Sequence, residues 1–253
     1  MYTLKSRIVY WLVPFCPSLF NKSRRIRTFI HRYALQTYKK DLGWWVQVGA
    51  NDGGEWDSFA NSIRSHQLQA LLIEPVSYLF ERLKKNYIDP KGKIVFEKLA
   101  IAAKEGVLTI KGIDPEKQEG LPGWASQISS LREEVMLGHG SLIPGIEKRL
   151  LCEEVQVMPL SKMLANHNIG EIAFLQIDTE GYDAVVLSSI DFSAVNIGLL
   201  SYEHKHLPEQ EQLASLLLLQ LNDFQYHVMK GDTIAWPKAN KWMGEMVSKY
   251  FID

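Results

Sequence analysis

From Trp44 onward, short apolar runs alternate with stretches whose apolar residues recur at helical intervals, as expected for strands alternating with helices. WWVQV meets a glycine-bearing turn, GANDGG, and EWDSFANSIRSH then spaces Trp56, Phe59, Ala60 and Ile63 along one helical face. ALLIEP is a second apolar run, closed by Glu74-Pro75, and Tyr78, Leu79, Leu83 and Tyr87 share a face of the helix expected after it. KIVFEKLAI predicts a third strand and EGVLTIKGI a further one, in which Val107, Thr109 and Ile110 suit a pleated surface. Between about residues 114 and 150 the periodicity fails, and glycines, prolines and polar residues surround only a helical turn or two; a loop of that length in a compact domain is functional or disordered. LCEEVQVMPL reads as a strand, SKMLANHN as a short helix, EIAFLQID as a strand apolar on both faces, YDAVVLSSI as a helix and NIGLLSYEH as a strand. A leucine-rich helix at 208–221 follows, then FQYHVMK and DTIAWP as a closing hairpin about Gly231-Asp232. Trp44, Trp45 and the leucines at 216–219 are expected in the core.

This alternation predicts an α/β fold with a mostly parallel, doubly wound sheet, whose ligand lies at the carboxyl ends of the strands. Residues 1–40 read as an N-terminal helical extension and residues 41–253 as one α/β domain. The apolar stretch at 8–20 is too short to cross about 30 Å of hydrocarbon and carries Pro14 and Pro17. It reads as a segment packed on the domain, with contact to a membrane surface or a partner as the second reading.

Composition narrows the classes. In 253 residues, 46% are apolar and the formal net charge is −1, so no overall basic field draws the chain to nucleic acid. Cys16 and Cys152 are far apart and form no CxxC pair, which fits a reducing, cytoplasmic setting without disulfides or structural zinc. Oligomeric state is not legible.

Acids and glycines gather at the expected strand ends: Gly49, Ala50, Asn51, Asp52 and Gly53 after the first, Glu74-Pro75 after the second, Asp178 and Glu180 after a late one, Glu203 and His204 after the next. Glu74 follows the turn by about 20 residues, the interval at which a carboxylate meets the ribose hydroxyls of an adenosine. The dinucleotide pattern G-x-G-x-x-G is missing, and Asp52 would repel a pyrophosphate on the helix N-terminus. A cofactor with a cationic reactive end and no phosphate, such as S-adenosylmethionine, tolerates these acids.

VGANDG, IEP and IDTEGYDAVVL, in this order and spacing, resemble the FkbM family of S-adenosylmethionine-dependent methyltransferases over roughly residues 44–230. The resemblance implies the class I Rossmann-like methyltransferase fold. It also implies that Gly49, Asn51, Asp52 and Glu74 serve the cofactor, while Asp178 and Glu180 border the transferred methyl. Two positions depart from the family, which often has an acid at Gln47 and a lysine at Gln176. Gln47 cannot supply the charge that helps hold the methionine ammonium, which shifts that contact toward Asp52 or Asp178.

A hydroxyl acceptor must lose a proton, and Asp178, Glu180, Glu203, His204 and His206 are the candidate bases. Asp178 with His204 is the preferred pair. The same acids and histidines, with Asp183, could ligate magnesium, but no spacing singles out a ligand set, so a metal-free base is preferred. The 114–150 segment reads equally as solvent loop or acceptor cover, in which Trp124, Ser126, Gln127, Ser129, Ser130 and His139 would suit a sugar-like substrate together with Glu203. The expected partner is therefore a small-molecule or glycan hydroxyl, and the expected reaction O-methylation. The rival readings are a cofactor-binding scaffold without turnover and, behind it, a nicotinamide oxidoreductase.

Overall fold

The computed structural model describes residues 22–40, 43–55, 57–87 and 92–251. The apolar segment at 8–20, Cys16 and Trp56 lie outside the described residues. The chain opens on α1 (Lys22–Lys40), followed by β1 (Trp44–Val48), α2 (Ser58–His66), β2 (Ala70–Ile73), α3 (Ser77–Asn86) and β3 (Ile94–Glu97). Next come β4 (Ala100–Ile101), β5 (Gly106–Ile113), β6 (Ser129–Ser130), α4 (Glu133–Gly138), β7 (Leu150–Met158), α5 (Leu160–Asn166) and β8 (Glu171–Ile177). The chain closes with α6 (Asp183–Ser188), β9 (Asn196–Glu203), α7 (Glu209–Leu221), β10 (Phe224–Val228), β11 (Asp232–Pro237) and α8 (Lys241–Phe251).

Among the described residues, seven strands form one sheet in the order β10-β11-β9-β8-β1-β2-β3. β3, β2, β1, β8 and β9 are mutually parallel, and β11 runs antiparallel to both of its neighbours. The expected doubly wound sheet with a closing antiparallel hairpin is thus present. Successive side chains on a strand face opposite ways. Trp45, Leu72 and Phe174 therefore join one core with Phe29 and Tyr33 of α1, Phe59 of α2 and Met243 of α8. Val46, Leu71, Ile73 and Leu175 join the other, with Met163 of α5, Leu187 of α6 and Leu219 of α7.

Four features of the architecture depart from the sequence reading. KIVFEKLAI does not form one strand: it splits at Lys98-Leu99, and β4 leaves the main sheet to pair with β7. β5 and β7 likewise belong to a second sheet, β4-β7-β5-β6, in which they pair antiparallel over eight residues each. Strand periodicity is the same whichever sheet receives the strand, so only the tertiary pairing reveals this. The segment between β5 and β7 is ordered around its own apolar cluster of Ala125, Ile128, Met136, Ile143 and Ile146, with Ile113. Its 3-10 turns, at Pro115–Lys117, Gly123–Gln127, His139–Ser141 and Ile146–Lys148, hide it from a search at the α-helical period. Helix α8 was not anticipated, although Trp242, Met243, Met246, Val247 and Tyr250 carry a helical pattern.

The leucines at 216–219 are not all core. Leu219 is fully buried, but Leu217 is exposed on a stripe with Leu213 and Leu221. These three recur at i, i+4 and i+8, on the side of α7 turned away from the sheet. Trp45 is buried as expected, whereas Trp44 is half-buried beneath the Lys93 ammonium, 4.8 Å from its ring centre.

Helix α1 is tied to the sheet by Tyr33, whose hydroxyl donates to the Ala173 carbonyl at 2.6 Å in a fully buried setting. Tyr33→Phe keeps the ring packing and removes this bond, and should lower unfolding free energy by about 1 kcal/mol. Urea denaturation checks this, and an unchanged midpoint would show that α1 is held by apolar packing alone.

Candidate active site

The cavity is built from the first turn upward. Gly49 has φ +80, and a Cβ there would lie 1.9 Å from the Asp178 carbonyl oxygen, so no side chain fits. The closeness follows from the parallel pairing of β1 and β8, which the Asp178 N–H extends by donating to the Val48 carbonyl at 2.9 Å. Asn51 adopts a left-handed conformation (φ 52) and donates its backbone N–H to Glu74 Oε2 at 2.8 Å. The Val76 N–H donates to the other oxygen at 2.9 Å. Glu74 is thereby locked, with 2% of its surface exposed, at the wall of the cavity, next to Pro75. Burial outweighs these two hydrogen bonds, and the carboxyl is pushed up to about 7, with Glu153 and Asp52 adding repulsion. Asp52 also lines the cavity, but one of its oxygens is turned back to accept from the Gly54 N–H at 2.9 Å. Ala50 is fully buried under the turn and does not line the cavity.

Gln47 points toward α2, where its amide donates to Asp57 Oδ2 at 2.9 Å. The other oxygen of Asp57 caps α2, accepting from the Phe59 and Ala60 N–H groups. Both residues line the cavity, and the buried Gln47 Oε1 has no hydrogen-bond partner. The carboxylate beside Gln47 is therefore that of Asp57, not Asp52 or Asp178. The sequence reading missed it because an acid before SFANSI is indistinguishable from an ordinary helix cap.

The cavity measures about 850 Å³. Asp178 and Glu180 from the end of β8 belong to its wall, as do Trp124, Ser129 and His139 of the segment between β5 and β7. Ser126 is not at this wall: its hydroxyl donates to the Gly123 carbonyl at 3.0 Å, inside a turn. Nor is His204, which is buried with Nδ1 3.0 Å from the Thr233 hydroxyl oxygen. Beyond β9 the His204 and Lys205 N–H groups both donate to the Gly231 carbonyl. That turn aims His204 at β11 and brings Lys205 and His206 to the cavity instead. Glu203 stands behind Glu180, in the same acidic cluster but outside the cavity wall.

Charge is concentrated here. Asp178 is reached by solvent from the cavity but enclosed by protein otherwise; that burial, then the charges of Glu203, Glu180 and Asp183, holds its carboxyl well above the usual range. Burial likewise raises Glu203 to about 7 and Asp183 to about 6. Asp183 accepts from the Thr179 hydroxyl at 2.8 Å and the Glu203 N–H at 3.2 Å, joining the ends of β8 and β9. Burial alone would raise Glu180, but His206 and Lys205 outweigh it and its carboxyl lies below the usual value. Lys205 is paired with Glu203 Oε1, which holds the ammonium above its ordinary pKa despite burial.

The model of the methyltransferase FkbM domain matches residues 47–231. No curated protein matches the chain. A solved structure of a hypothetical protein from Thermus thermophilus is similar at 12% identity and a TM-score of 0.42, over 84% of this chain and 85% of that one. No helix among the described residues is long and apolar enough to cross a membrane. With the family match spanning most of the sequence and including both the Gly49 turn and the Asp178 strand end, the chain belongs to the FkbM methyltransferases, which take their methyl group from S-adenosylmethionine.

Proposed function

We propose that the methyl acceptor is a hydroxyl group of a polar, sugar-like molecule and that Asp178 is the general base. The observation that carries this reading is the shared cavity: Asp178 lines it beside the Gly49 turn, together with the aromatic and hydroxyl groups of Trp124 and Ser129. An aromatic ring and polar groups on one wall suit the apolar faces and hydroxyls of a sugar.

The residues present fit the cofactor. Glu74 keeps lone pairs free to accept from two ribose hydroxyls. The unpartnered Gln47 Oε1 and the Asp57 carboxylate together can accept an ammonium, replacing the acid common in the family at position 47. When bound, S-adenosylmethionine supplies an electrophilic methyl and departs as a neutral thioether. Asp178 takes the hydroxyl proton as the new O–C bond forms, and the walls hold the oxygen in line with the methyl. Thr179 and Asp183 fix the strand end that carries Asp178.

Asp178→Asn should reduce the turnover rate by about 10²–10⁴-fold, the usual worth of a positioned base, with cofactor affinity retained. Labelled cofactor and a panel of free and lipid-linked sugars provide the assay; normal turnover by the variant would remove Asp178 from this role. Asp57→Asn retains a good helix cap, removes the charge and exchanges the oxygen that accepts from Gln47 for an amide NH2. It should weaken cofactor binding about tenfold by calorimetry, equivalent to ~1.4 kcal/mol, while the circular dichroism spectrum stays the same. An unchanged affinity would leave the ammonium to other groups.

Ribose hydroxyls donate to the ionised form of Glu74, so cofactor binding strengthens as pH rises through about 7. For the free protein the sign is opposite. The folded-state pKa lies above the ordinary 4.5, so the folded chain holds the extra proton and Glu74 costs stability as pH rises from 4.5 to about 7. The rise in melting temperature on adding cofactor should accordingly be larger at pH 8 than at pH 6, and Glu74→Gln should flatten that difference. Equal shifts in both proteins would refute a ribose role for Glu74.

A further inference from the structure

We infer that His139, Glu180 and His206 form a binding site for one first-row divalent cation on the acceptor side of the cavity. The inference rests on reading that wall as the acceptor site, and it extends that reading to the way the acceptor is held.

Each of the three residues presents a ligand atom within 4.8 Å of the others, and Glu180 shares a second such group with Asp178 and Glu203. The side chains come from separate parts of the chain: the turn His139–Ser141, the end of β8 and the turn beyond β9. Their polar atoms converge, and His206 supplies the ion pairs among them. His206 Nε2 lies 3.0 Å from Glu180 Oε2 and 3.7 Å from Glu203 Oε2, close enough for ion pairing but misaligned for hydrogen bonds. His139 Nε2, His206 Nε2, Glu180 Oε2 and Glu203 Oε2 are all buried with no hydrogen-bond partner. Glu180, Glu203 and His206 are partly satisfied by ion pairing with one another, whereas His139 Nε2 has neither a hydrogen bond nor an ion pair, and one shared partner would complete all four. A metal ion fills that role for imidazole nitrogens and carboxylate oxygens together.

Two further observations point the same way. Asp178, Glu180, Asp183 and Glu203 bring four carboxylates together, and Lys205 is the ammonium that faces them among the described residues, already engaged by Glu203 Oε1. Formal negative charge is left over. Glu180 is also held at φ +50, a left-handed conformation that a non-glycine residue adopts at a cost and that directs its carboxylate to the two imidazoles. Ser130 secures this conformation by donating its hydroxyl to the Glu180 carbonyl at 2.7 Å.

The ligand set selects the ion. Magnesium and calcium favour all-oxygen shells, whereas two imidazoles and a carboxylate suit manganese, iron, cobalt or zinc. Three protein ligands leave coordination positions open toward the cavity. An acceptor hydroxyl held there would lose its proton more readily, and two adjacent hydroxyls would occupy two positions, so the site favours a vicinal diol.

The test uses the full chain, stripped with a chelator and titrated with Mn2+ in the absence of cofactor, following free Mn2+ by electron paramagnetic resonance. One Mn2+ per chain is expected. His139→Gln, Glu180→Gln and His206→Gln should each weaken binding at least tenfold, while His167→Gln, whose imidazole pairs with Glu97 elsewhere, should leave it unchanged. Circular dichroism identifies any variant that fails to fold, and the remaining two then decide. Absence of Mn2+ binding by the wild type, or equal affinity in every folded variant, overturns the cation site. Cofactor affinity measured on the same samples separates the two proposals: Mn2+ binding without cofactor binding would count against the cavity as a methyl-transfer site, and cofactor binding without Mn2+ would overturn the cation site alone.

Discussion

The arrangement depends on how closely β1 approaches β8. At Gly49 the first turn leaves the sheet so near the Asp178 carbonyl that one added carbon would overlap it. That contact makes neighbours of two motifs that are far apart in sequence. It brings the Gly49 turn and its partner Glu74 into the lining of one cavity with Asp178 and Glu180. The paired ends of two adjacent parallel strands fix that proximity without any flexible link.

The second constraint is charge. Buried carboxylates are expensive unless paired, and Glu74, Asp183 and Glu203 are held above their ordinary pKa values, as is Asp178, which solvent reaches. Glu74 and Asp183 each accept from two backbone or hydroxyl donors. The cluster around Glu180 is less well satisfied, and its left-handed backbone adds strain at the same point. Each polar atom left unsatisfied in a folded protein calls for an explanation, and a bound ligand is one. Around this cavity they occur in two places, at Gln47 beside Asp57 and among Glu180, Glu203 and the two histidines.

The segment between β5 and β7 shows why such a site needs more than a sheet. It has an apolar cluster of its own, so it is held by packing and presents Trp124, Ser129 and His139 at defined positions. The second sheet anchors both of its ends, since β5 and β7 pair along their lengths. The exposed stripe of Leu213, Leu217 and Leu221 lies on α7, outside the residues that line the cavity.

Much of this was written along the chain. Apolar runs and helical spacing identified the strands and helices of the main sheet, because side-chain alternation and the helical repeat are local properties of the backbone. Glu74 was legible from its interval after a glycine turn, and Asp178 from its place after an apolar strand. Local pattern could not say which sheet receives β4, β5 and β7, because a strand looks alike in either. Nor could it separate His204 from His206, since that depends on how the Gly231 carbonyl bends the chain after β9. The partnership of Gln47 with Asp57, and of His139 with Glu180 and His206, arises only when separate elements pack. Sequence determined the elements and the chemistry available at their ends; tertiary structure decided which of those groups meet, because hydrogen-bond and ligand distances of a few ångströms are set by packing between elements and not by spacing along the chain.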